Sequence, residues 1–141
     1  MDKRRIKEIF SRYPEVIAAY LFGSLAAGRE KRKSDADVAV ILEENIHKAR
    51  AMPIQLQLMA DLEDVYNREV EVVLLNETSL FLISEVLKGK LIYDSNPIKR
   101  AEFESIKRRE YFDFVLYLKR HREALLERIK TKGLSGAYGG Y

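Results

Sequence analysis

Residues 16–42 read VIAAYLFGSLAAGREKRKSDADVAVIL. Two apolar runs, Val16–Phe22 and Ala36–Leu42, have the length and continuity of buried strands. Gly23-Ser24 closes the first. Leu25–Ser34 is small and then strongly basic, and reads as a short helical turn followed by a loop. Asp35 and Asp37 stand at the entrance of the second run. Side chains alternate along a strand, so positions i and i+2 share a face. Two carboxylates that project together repel, and a shared cation is a common reason to tolerate them. Hard oxygen ligands select Mg²⁺ or Mn²⁺. Taken alone, the pair also describes two solvated acids at a strand end.

Working outward, residues 2–12 read as a helix with Asp2 as its cap and Ile6, Ile9 and Phe10 on one face, stopped before Pro14. Residues 46–67 carry Ile54, Leu58, Leu62 and Val65 at helical spacing. Pro53 belongs in that helix's first turn or at a kink. Glu69–Leu75 reads as a third strand, with Glu71 set between Val70 and Val72. Either that acid lies on a solvated sheet face or it completes a three-carboxylate site. Thr78–Lys88 reads as a helix stopped by Gly89, and Leu91–Tyr93 as a short strand. From Pro97 to about Lys130 a helical stripe runs through Phe103, Ile106, Phe114, Leu118, Leu125 and Ile129. The expected class is α+β, a mixed β-sheet with flanking helices and a long C-terminal helix. The expected organisation is a core over 1–96, the helix over 97–130 packing on the core or on a partner, and a flexible Gly/Ser-rich tail over 131–141.

Composition narrows the chemistry. The chain has 141 residues and no cysteine, which excludes disulfides, thiolate metal sites and a cysteine nucleophile. His47 and His121 are too few and too distant in sequence for a histidine-rich zinc site. No apolar run reaches the ~18–20 residues that span a bilayer. The first ten residues are charged and periodic, unlike a signal peptide, so a cytoplasmic location is expected. Residues 97–141 hold 11 Lys and Arg against 6 Asp and Glu. That excess reads either as a solvated helix face or as a surface for an acidic partner. Tyr111, Tyr117, Tyr138 and Tyr141 lie in the same third. Helix packing explains Tyr111 and Tyr117 better than base stacking does.

The stretch FGSLAAGREKRKSDADVAVIL resembles the nucleotidyltransferase signature of the DNA polymerase beta superfamily. That signature is an apolar residue, Gly-Ser, a spacer of about ten and then Asp-x-Asp among apolar residues, here Phe22, Gly23-Ser24 and Asp35-Ala36-Asp37-Val38. A third acid on a later strand completes the family's metal site, and Glu71 occupies its place. Within the superfamily the chain is similar to the minimal nucleotidyltransferases, many of them antitoxins paired with a HEPN-domain ribonuclease toxin. Two positions depart from the pattern. The spacer reads Ala26-Ala27-Gly28, with Ala27 where the family more often has arginine and Arg29 following Gly28, and the third acid is Glu rather than Asp.

The resemblance implies a nucleotidyltransferase fold and a site in which Asp35, Asp37 and Glu71 are catalytic and hold two Mg²⁺ ions. It implies that Gly23, Ser24, Arg29 and Ser34 bind the nucleotide, with Lys31, Arg32 and Lys33 within the basic spacer. It implies ATP as substrate, adenylylation of a protein hydroxyl, and a HEPN toxin tyrosine as acceptor. The expected partner is that toxin or a second copy of the chain, with neither nucleic acid nor membrane. Two other readings remain open at this level: a small-molecule, aminoglycoside-like nucleotidyltransferase, and a non-catalytic module that blocks a partner.

Overall fold

A computed structural model describes residues 3–23 and 35–138, with the side chains of Lys48 and of residues 132–138 outside the description. Its elements are α1 (Lys3–Ser11), β1 (Val16–Phe22), β2 (Ala36–Leu42), α2 (Lys48–Tyr66), β3 (Val70–Leu74), α3 (Leu80–Leu87), β4 (Lys90–Asp94) and α4 (Pro97–Tyr138). A 3₁₀ turn, Leu75–Glu77, links β3 to α3. The four strands form one sheet in the order β3-β2-β1-β4. β1 runs antiparallel to β2 and β4, and β2 runs parallel to β3. The parallel step requires a crossover, and α2 supplies it.

The apolar runs become strands because both sheet faces are covered. Val38, Val40, Val70 and Val72 turn to one face, where they pack with Ile6 and Phe10 of α1 and Leu58 and Leu62 of α2. Ala39, Ile41, Ile17 and Tyr20 turn to the other, against Ile83 and Val86 of α3 and Phe103 of α4. Both β1 and β2 are therefore buried along almost their whole length.

The α2 helix continues through Pro53, which is its sixth residue rather than part of its first turn. Ala51, Ile54, Leu58 and Leu62 are buried on the same helix, and their packing outweighs the hydrogen bond that proline cannot donate. Its end is set by Asn67, which takes the left-handed conformation at φ 53° and donates its N–H to Glu63 O. Ser79 caps α3 by accepting from Leu82 N–H.

Gly89 does not serve as a left-handed helix stop, because Gly23 is the glycine with positive φ among the described residues. Its reason is space. A Cβ at Gly89 would lie 2.4 Å from Leu21 O and 3.1 Å from Phe22 Cβ. Val86 O lies 3.1 Å away as well, and with Leu21 O it puts backbone on two sides, which prevents a cheap adjustment. Gly89→Ala is expected to destabilise the fold by about 1–3 kcal/mol, the usual cost of overpacking. Thermal unfolding checks this, and an unchanged midpoint would refute the packing role.

By its contacts the chain divides into two units, residues 1–107 and 108–141. The sheet-bearing unit keeps residues 97–107, beyond the boundary expected at 96. Side chains 84 residues apart hold them there: the Tyr20 hydroxyl donates to Glu104 Oε2 at 2.8 Å. Arg100 donates to Asp94 Oδ2 and to Glu104 Oε1, both at 2.8 Å. Burial, then the hydrogen bond to Glu104, pushes the Tyr20 phenol well above its ordinary range. In the second unit α4 remains helical to Tyr138, past the point where the tail was expected to begin. Thr131 at that point bonds Glu127 O within the helix, at 2.9 Å. Residues 139–141 lie outside the described residues, as does Asp2.

Candidate active site

β1 ends at Phe22, which pairs with Asp37 across the antiparallel ladder. Asp37 in turn pairs with Glu71 across the parallel ladder. Register partners on adjacent strands face the same side. The two acids are therefore neighbours on one face of the sheet, at the end where β1 stops and β2 starts. The same face carries Ala39 and Ile41 further along β2. Asp35 lies one residue before β2 and is exposed, as is Glu71, while Asp37 is half-buried.

Gly23 continues directly from β1 with φ +76°, a conformation that side-chain-bearing residues rarely adopt. A Cβ there would stand 2.5 Å from Asp37 Oδ2. The turn and the carboxylate thus fit together only because residue 23 has no side chain.

The electrostatics agree with the register. Burial pushes the Asp37 carboxyl above its ordinary value, and the negative charges of Glu71 and then Asp35 add to the shift. The structure brings the charges of Glu71 and Asp35 close enough to act on Asp37 and sets Gly23 against that same carboxylate. Among the described residues no three such side chains converge to grip a metal ion as they stand. The donor chemistry nevertheless suits a hard divalent cation, since it consists of carboxylates whose mutual repulsion a cation relieves. Ser24, Arg29 and Ser34, with Lys31, Arg32 and Lys33, lie outside the described residues.

Two features of this site lie beyond local sequence pattern. The resemblance already joined Glu71 to Asp35 and Asp37, but its register match with Asp37 depends on pairing between distant strands, for which the local pattern carries no signal. Gly89 crowds the C-terminal end of β1 from the far side, and its sequence position suggested only a helix stop. The two histidines take no part in the site. His47 stands at the N-cap of α2 without a side-chain capping bond. His121 packs edge-on against Tyr117, with ring centroids 4.3 Å apart.

A glycine turn, a register-paired acid couple and a mixed sheet covered on both faces define a fold of the nucleotidyltransferase class. Residues 4–98 match the family described as polymerase beta, nucleotidyltransferase, and the chain belongs to that family. No curated protein matches the sequence significantly. Among solved structures, one chain of a toxin–antitoxin complex with AMP-PNP is 20% identical, with TM-score 0.64 over 92% of this chain and 99% of that one. A chain from the complex of tri-AMPylated Shewanella oneidensis HEPN toxin with MNT antitoxin is 18% identical, with TM-score 0.57 over 91% and 95%. At these identities the likeness is one of fold, and it agrees with the α+β architecture expected from the sequence. Among the described residues no helix is long and apolar enough to cross a membrane.

Proposed function

We propose that this protein is an antitoxin that uses ATP to adenylylate a tyrosine of a partner HEPN ribonuclease toxin. The observation that carries the reading is the setting of Asp37, register-paired with Glu71 and fitted against the side-chain-free turn at Gly23. The fold likeness to complexes that contain AMP-PNP or an AMPylated HEPN toxin supports the choice of nucleotide and acceptor.

In the proposed reaction the tyrosine oxygen bonds to the α-phosphorus of ATP. The bond from that phosphorus to the bridging oxygen breaks, pyrophosphate leaves, and the phenolic proton passes to Glu71 or to water. Asp35, Asp37 and Glu71 would hold two Mg²⁺ ions, which supply charge neutralisation for the triphosphate and the attacking oxygen. The residues contribute the rest. Gly23 lets the backbone approach the phosphates, and Ser24, Arg29 and Ser34 are assigned to nucleotide binding. Asp37 is half-buried and repelled by its acidic neighbours, so its ionised form gains from a nearby positive charge that would offset that repulsion.

The direct test incubates the full chain with labelled ATP and Mg²⁺, with and without a HEPN-type protein taken from the neighbouring gene. The expected result is adenosine monophosphate on a partner tyrosine, located by mass spectrometry and absent with EDTA. Label on a small-molecule alcohol but not on the partner would redirect the acceptor. Inhibition of the partner with no label anywhere would replace catalysis by blocking.

A further inference from the structure

We infer that one face of the second unit, along residues 111–129 of α4, is a docking seam for an acidic-rimmed apolar surface of the partner protein. The inference rests on the antitoxin reading for the identity of that partner. Tyr111, Phe114, Leu118, Leu125 and Ile129 recur at spacings of three, four and seven and so fall along one side of the helix. Phe114, Leu118 and Leu125 are 41–48% exposed, and Leu126 beside them 46%. Leu118, Leu125 and Leu126, with the stems of Lys119 and Arg122, line a shallow concavity on this face. Large apolar side chains in a contiguous stripe mark an interaction surface more often than scattered ones do.

Charge decides what covers it. Lys119 and Arg122 line the concavity with the leucines, and Arg128 lies at the stripe's other margin by the 100° advance per residue of a helix. The segment's acids, Asp113, Glu123 and Glu127, fall on the opposite side together with Arg120, and Glu110, just before the segment, lies at the stripe's margin. A second copy of this seam would bring cations against cations around its apolar centre. An apolar surface rimmed by Asp and Glu would meet them with opposite charge, and complementary rims set partner choice and encounter rate. Nucleic acid fits less well, because the stripe between the cations is built of leucine and isoleucine rather than of planar groups alone.

The test uses the full chain and a HEPN-type product of the neighbouring gene, with affinity measured by titration calorimetry at two salt concentrations. Leu118→Asp and Leu125→Glu are each expected to weaken binding by about 30-fold or more, the effect of losing a central anchor. The pair Arg122→Glu with Arg128→Glu is expected to weaken binding about 10-fold and to remove most of its salt dependence. Glu123→Lys, on the opposite face, is expected to leave affinity unchanged. Circular dichroism of each variant shows that the helix persists. If the wild-type chain binds and adenylylates the partner while all seam variants bind equally well, the seam is wrong and the antitoxin reading stands. If the wild-type chain neither binds nor modifies the partner, both fail. A homodimer abolished by Leu118→Asp, or a labelled RNA released by the arginine reversals with partner binding intact, would also overturn the inference.

Discussion

Asp37→Asn is expected to lower nucleotidyl transfer by about a thousand-fold, the scale of losing one group that stabilises developing charge. It is not expected to lower the melting temperature of the metal-free protein. The second half of this expectation follows from the causes of the carboxyl's upward shift, burial above all and then the charges of Glu71 and Asp35. A carboxyl whose folded pKa is raised binds its proton more tightly in the native state than in the unfolded chain. When ionised it therefore disfavours the native state. That penalty is fully present above the raised folded pKa. It declines as pH falls through that value and vanishes below the unfolded value of ~3.9. Asparagine carries no charge, so the variant is expected to melt at or above the wild-type temperature at neutral pH in EDTA. The difference is expected to close below about pH 3.9. Transfer assays and melts across pH check both halves. Undiminished transfer would remove Asp37 from the reacting centre, and a marked fall in melting temperature would make it a structural residue.

The sequence is informative where a local pattern has a single physical outcome. Val16–Phe22 and Ala36–Leu42 form strands over the expected residues, because unbroken apolar runs of that length are satisfied only inside a two-faced sheet. The flanking elements shift by a residue or two at their ends, shorter in Val70–Leu74 for the third strand and Leu80–Leu87 for the helix after it, longer in Lys90–Asp94 for the fourth strand. Such ends depend on caps rather than on periodicity. Pro53 misleads because the propensity cost of proline is local, whereas the burial of Ile54, Leu58 and Leu62 is tertiary. Gly89 misleads because the same residue type serves a left-handed turn and a close approach, and only the neighbouring Leu21 carbonyl tells them apart. For the site, the sequence already predicts a pair of acids, Asp35 and Asp37, at the entrance of β2. The partnership with Glu71 is different. It follows from a parallel ladder closed by the crossover through α2, and a slip of one residue would send Glu71 to the opposite face.

Gly23→Val is expected to abolish transfer while leaving a folded protein. Two penalties meet at this position. The backbone φ of +76° is costly for a residue with a Cβ, and more so for a β-branched one, at about 1–2 kcal/mol. The steric penalty is of another kind, since the atom 2.5 Å from the added Cβ is Asp37 Oδ2, the end of a side chain that can rotate away. Rotation relieves the clash at little cost to the fold but moves a carboxylate assigned to the metal site. It also fills the space in which the phosphates would meet the backbone. Stability is thus expected to fall by about 1–2 kcal/mol, a few degrees of melting temperature for a domain of this size, whereas transfer should fall below detection. Gly23→Ala separates the terms, because alanine bears the same Cβ without the branched bulk. It is expected to lose nearly as much transfer and less stability. ATP affinity measured by titration calorimetry with Mg²⁺ is expected to drop in both variants. If both bind ATP and turn over like the wild type, the triphosphate does not lie against this turn, and the contact between Gly23 and Asp37 serves only to close the end of the sheet.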